Sequence, residues 1–139
     1  MCPGGSSRSP EQVPACAHRA QLLALDPAVV RQARRLVQEV CAEAGVSPEM
    51  CDNAVLLTSE TVTNALIHGR SEARLQVDAD PDTVLVQVGD DNSRHPAVNA
   101  RDPEALDGRG LEMVQLLASR WGVRDDTAGK TIWFELRAH

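Results

Sequence analysis

Between Val29 and Val88 the chain changes its hydrophobic period once, and that change restricts the fold more than any other feature. Val29, Val30, Ala33, Leu36, Val37, Val40, Cys41 and Ala44 recur at three- and four-residue spacing, the interval that gathers side chains on one face of an α-helix. Asp26-Pro27 ahead of them supplies a cap and a proline for the first helical position, and Gly45 suits a left-handed stop. Ser47-Pro48 repeats the cap-then-proline signal, and the stretch to about His68 carries Met50, Ala54, Leu57, Val62, Ala65 and Leu66 without an internal Gly or Pro. A second, longer helix is expected there. From Ala73 onward the period becomes two. Ala73, Leu75, Val77 and Ala79 alternate with polar residues, Asp80-Pro81-Asp82 reads as a turn, and Val84, Val86 and Val88 alternate again. These are the marks of an antiparallel hairpin with one buried face.

The flanks complete the pattern. Residues 18–25 fit a first strand. Asp91 to Gly108 is a polar stretch with Pro96 and Pro103 and no sustained period, a loop long enough to suggest function or mobility. Leu111, Val114, Leu117 and Ala118 suggest a short helix from Gly110, and Arg120–Asp125 and Thr131–Arg137 read as two last strands joined at Asp126-Thr127-Ala128-Gly129. The order β-α-α-β-β-loop-α-β-β implies an α+β fold: a two-layer sandwich of a mixed, largely antiparallel sheet with helices on one face. A chain of 139 residues fits one domain. Residues 1–15, rich in Pro, Gly and Ser, read as a flexible N-terminal tail, and 16–139 as the domain.

Charge and composition exclude several classes of function. A net charge of −6 argues against direct binding to nucleic acid, whose affinity comes from clustered Lys and Arg. No apolar run approaches the length of a membrane span, and the N-terminus lacks the basic and apolar regions of a signal peptide, so a cytoplasmic location is expected. Lys130 is the only lysine, which leaves no Walker lysine after a glycine-rich loop. Cys2, Cys16, Cys41 and Cys51 form no C-x-x-C pair and are expected as free thiols, with neither zinc nor disulfide.

Three clusters could carry chemistry. Glu60, Asn64 and His68 fall at i, i+4 and i+8, along one stripe of the second helix; a merely solvated face would look the same. Asp90 follows the alternating Val84–Val88 strand, where a carboxylate could accept a bond from an exocyclic amine or simply serve a strand-end turn. Gly108-Arg109-Gly110-Leu111 precedes the short helix, where glycines and free N–H groups favour phosphate, although a plain flexible loop has the same composition.

Taken in order, and with the ending Gly129-Lys130-Thr131-Ile132-Trp133-Phe134-Glu135-Leu136, these clusters resemble the GHKL ATPase superfamily with its Bergerat, or histidine-kinase-like, fold. The likeness is closer to the anti-sigma-factor serine/threonine kinase branch, and it spans about residues 20–137. Glu60-x-x-x-Asn64-Ala-x-x-His68-Gly69 is similar to that family's N box, Asp90 to its adenine-binding aspartate, and Gly108-Arg109-Gly110-Leu111 to its second glycine box. The first glycine box departs from the pattern: Asp90-Asp91-Asn92-Ser93-Arg94 has no glycine after the aspartate.

The resemblance implies ATP and Mg²⁺ as cofactors. Asp90 would hold the adenine amine, Asn64 would ligate Mg²⁺ and so bridge it to the phosphates, Gly108, Gly110 and Leu111 would cap the triphosphate, and Thr131 would add a bond near the adenine. Arg109 fits phosphate contact and solvent exposure equally. Glu60 takes the place of the base that accepts the proton of the phosphorylated hydroxyl. His68 suits a helix-end role better than catalysis. The function implied is that of an anti-sigma factor and protein kinase, with a sigma factor and an anti-sigma-factor antagonist as partners and a homodimer admitted. The alternative is a non-catalytic partner-binding module of the same fold.

Overall fold

The computed structural model describes residues 16–68, 72–90, 114, 116–126 and 129–138. Its elements are β1 (Ala17–Ala24), α1 (Val29–Ala44), α2 (Pro48–His68), β2 (Glu72–Asp80), β3 (Thr83–Asp90), β4 (Arg120–Asp126) and β5 (Gly129–Arg137). The strands form one five-stranded sheet in the order β1-β2-β3-β5-β4, and every pairing is antiparallel. Helix α1 lies on β1 and β2, and α2 on β3 and β5. This is the α+β two-layer arrangement that the change of period implies.

The local signals explain most boundaries. Asp26 Oδ1 accepts the Ala28 N–H at 2.9 Å, but the cap position is Ala28 and α1 starts at Val29. Asp26 therefore closes the turn before the helix instead of capping it, and the helix begins two residues later than the cap-proline reading places it. Gly45 ends α1 at φ 77°, its N–H on the Cys41 carbonyl, a backbone geometry that costs residues with a Cβ. Ser47 Oγ accepts the Met50 N–H at 3.3 Å, with Pro48 as the first residue of α2. In the β2–β3 turn Asp80 Oδ1 accepts the Asp82 N–H at 2.8 Å.

Pleating separates the two faces of the sheet. Ala73, Leu75, Val77 and Ala79 of β2, Val84, Val86 and Val88 of β3, and Phe134 and Leu136 of β5 pack with Val37, Val40, Leu57 and Val62 of the helices in one core. Val114 joins this core from the segment before β4. No helix of the described residues is long and apolar enough to cross a membrane.

Cysteines behave differently from the sequence reading at one position. Cys41 and Cys51 are free thiols, whereas Cys16 is disulfide-bonded. Disulfides depend on Cα approach in space, which the spacing of cysteines along a chain does not report. Burial first, and then the neighbouring Cys51 thiol, push the Cys41 thiol up to about 12.

Leu57→Ala should lose about 2–5 kcal/mol of unfolding free energy by urea titration, since the side chain is fully buried. Gly45→Ala should lose about 1 kcal/mol although nothing lies within 4 Å of the added methyl, because the cost is conformational. Because the folded-state value of Cys41 exceeds the usual thiol range, its protonated form favours folding, and stability should fall as pH rises from about 9 toward 12. Cys41→Ser should flatten that part of a pH–stability curve.

Candidate functional site

Helix α2 carries a polar stripe into an apolar interface, and how each polar atom is satisfied identifies two that are not. Thr61 Oγ1 donates to the Leu57 carbonyl at 2.7 Å, Ser59 Oγ to Val55 at 2.9 Å, and Thr63 Oγ1 to Ser59 at 2.6 Å. A hydroxyl can turn back onto the preceding turn in this way. An amide oxygen cannot, because it only accepts and the helical N–H groups are already used. Asn64 is 4% exposed, and its Oδ1 has no hydrogen-bond partner. Thr58 Oγ1 shares that condition one and a half turns earlier. A buried acceptor without a donor costs about 1–3 kcal/mol.

This orphaned oxygen suits a hard cation. Mg²⁺ takes one or two protein oxygens alongside phosphate oxygens and water, and Asn64 offers a neutral oxygen that no other described residue occupies. Glu60 lies one helical turn before it, half-buried, with no hydrogen bond or ion pair among the described residues. The two residues on which the sequence reading placed metal binding and base catalysis therefore share one stretch of α2, beside β3 and β5.

The strand ends place the remaining candidates. Asp90 is the last residue of β3, and its Cα is paired with Ala73 on one side and Lys130 on the other. Thr131 is paired with Gly89 instead. Its Oγ1 lies 2.9 Å from where a Cβ on Gly89 would stand, and Arg74 Nη2 lies 3.0 Å from the same point. Arg74, Gln76 and Gln87 belong to the sheet face turned away from the helices, so the Thr131 hydroxyl is on that outer face. The β5 residue in register with Asp90 is Lys130, which is buried. The sequence reading names Thr131, one residue further along β5, for a bond near the adenine. Gly108, Arg109, Gly110 and Leu111 lie outside the described residues, as does Gly69. His68 ends α2.

Comparison with known proteins agrees with this fold. A family model described as a histidine kinase-like ATPase domain matches residues 23–136. Among solved structures, the RsbU and RsbW domains of Rv1364c from Mycobacterium tuberculosis are similar, with a TM-score of 0.68 and 21% sequence identity over 91% of this chain and 33% of that one. At that identity the likeness concerns the fold, and the chain spans about a third of the length of that structure. No curated protein matches.

If the Asn64 oxygen is an unmet acceptor in the ligand-free protein, replacing it with an apolar residue of similar shape should help stability and harm binding. Asn64→Leu should gain about 1 kcal/mol in the absence of nucleotide. It should also lose the rise in melting temperature that Mg²⁺ with a non-hydrolysable ATP analogue gives the wild type. A destabilised Asn64→Leu protein would show that the amide is structurally satisfied.

Proposed function

The chain belongs to the family of histidine kinase-like ATPase domains, and from that membership we propose that it binds ATP with Mg²⁺ and works as an anti-sigma factor and serine/threonine protein kinase. The observation that carries the proposal is the buried, unpartnered amide oxygen of Asn64 one turn from the half-buried Glu60. In this reading Asn64 would hold the Mg²⁺ with its amide oxygen. That ion, when bound, withdraws charge from the phosphate oxygens. Asp90, at the end of β3, accepts a hydrogen bond from the adenine amine. Gly108, Arg109, Gly110 and Leu111 belong beside the triphosphate, on backbone N–H groups and one guanidinium.

Phosphoryl transfer needs little covalent chemistry from the protein: positioning, charge stabilisation and removal of one proton suffice. Glu60 accepts the proton of a serine or threonine hydroxyl on the protein substrate as that oxygen bonds to the γ-phosphorus and the bond to the β-phosphate oxygen breaks. A carboxylate without a competing ion pair is available for that proton. The substrate is an anti-sigma-factor antagonist, and the other partner is a sigma factor. The RsbW domain in the similar M. tuberculosis structure supports this placement by fold.

One sequence observation favours a second reading. No glycine follows Asp90 in Asp90-Asp91-Asn92-Ser93-Arg94, so this segment lacks the glycines that let backbone approach a nucleotide closely. A partner-binding module with weak nucleotide affinity would tolerate that loss.

Glu60→Gln separates the two. As a kinase, the variant should bind the Mg²⁺–ATP analogue within about threefold of wild type but lose at least about 100-fold in phosphate transfer to the antagonist. Asp90→Asn should instead weaken analogue binding about tenfold or more, as expected where a charged acceptor of a buried hydrogen bond is lost. No saturable analogue binding by the wild type would overturn the kinase reading in favour of the adaptor.

A further inference from the structure

On the outer face of the sheet one row of residues crosses all five strands. Leu22, Arg74, Gly89, Thr131 and Arg124 are successive cross-strand partners, so their side-chain positions share that face. Gly89 leaves the middle of the row without a side chain. A cavity of about 250 Å³ opens there, lined by Arg74, Gln87, Arg124 and Thr131 with Ala20 and Leu22 at one edge. The Thr131 hydroxyl and the Arg74 guanidinium converge on the space that the glycine leaves, 2.9 and 3.0 Å from its missing Cβ.

The charges around this notch are one-sided. Among the described residues no carboxylate lines it. Two acidic residues elsewhere on the outer face have partners of their own: Asp78 with His18 and Gln76, and Glu135 with Arg120 and Arg137. Arg74 has neither hydrogen bond nor ion pair among the described residues, and Glu72, two positions before it, makes none with it. The notch therefore presents the Arg74 guanidinium on a chain whose net charge is −6.

We propose that this notch is a binding site for the oxyanion of a small organic acid, a carboxylate or a phosphate group carrying a short apolar part. Arg74 supplies the planar pair of N–H donors that matches two oxygens of such a group. Thr131 Oγ1 donates a third bond, and the peptide at Gly89 forms the floor. Ala20 and the exposed Leu22 receive the apolar part. The site lies across the sheet from Asn64 and does not depend on nucleotide binding there.

Amide chemical shifts of the ¹⁵N-labelled full chain test it, in titrations with sodium phosphate, sodium butyrate and, at matched ionic strength, sodium chloride. Saturable shifts at Gly89 and Thr131 with phosphate or butyrate, and none with chloride, are expected; the tighter of the two identifies the source of the oxyanion. Arg74→Gln should weaken this binding about tenfold. Arg74→Lys, which keeps charge but not the fork, should fall between the two. Asn64→Leu should leave it unchanged, which separates this site from the nucleotide reading. Equal response to chloride, or undiminished binding by folded Arg74→Gln, would overturn the proposal.

Discussion

The pleat of the sheet is the constraint on which the remainder of this structure depends. Once Val84, Val86 and Val88 are buried beneath α2, the positions between them have no choice of side, and the same holds for β2 and β5 through the cross-strand register. A slip of one residue would expose the core set and bury Arg74 and Gln76 in its place. Burial of the valines thus fixes the register, and the register decides which polar residues can meet. It pairs Asp90 with Lys130 and sends Thr131 to the other side.

The second constraint comes from α2. This helix is less cleanly divided into apolar and polar faces than α1, because it buries Thr58, Thr61 and Asn64 together with Leu57 and Val62. The Thr61 hydroxyl bonds to the preceding turn, which makes its burial tolerable without any ligand, whereas Thr58 Oγ1 has no partner. Asn64 has no equivalent way out, so its burial is a standing cost. A packed interior normally satisfies its polar atoms, and those left over point to strain or to a missing partner. Physical cost and chemical suitability converge on the same oxygen, which gives Asn64 more weight as a metal ligand than its spacing from Glu60 does.

Periodicity made the two helices, the β2–β3 hairpin and the last two strands legible, because each buries an apolar face whose repeat survives in the sequence. The start of α1 was less so: Asp26 can cap a helix or close a turn with the same oxygen, and only the backbone around Ala28 distinguishes them. Glu60 and Asn64 could be singled out from their order relative to Asp90, not from their own spacing, which a solvated helix would share. The state of the Asn64 oxygen was invisible, since it depends on the absence of donors from elements distant in sequence. The Cys16 disulfide was hidden for a similar reason.

Gly89 shows how two faces of one strand carry separate chemistry. It sits between Val88, which belongs to the core, and Asp90, which ends the strand. In the sequence Val-Gly-Asp it reads as a small residue easing a strand end. The register gives it another role, since a side chain here would collide with Thr131 and Arg74. Glycine weakens a strand interior, so its presence at the centre of a five-strand row requires a local reason, and close approach of those two donors is one.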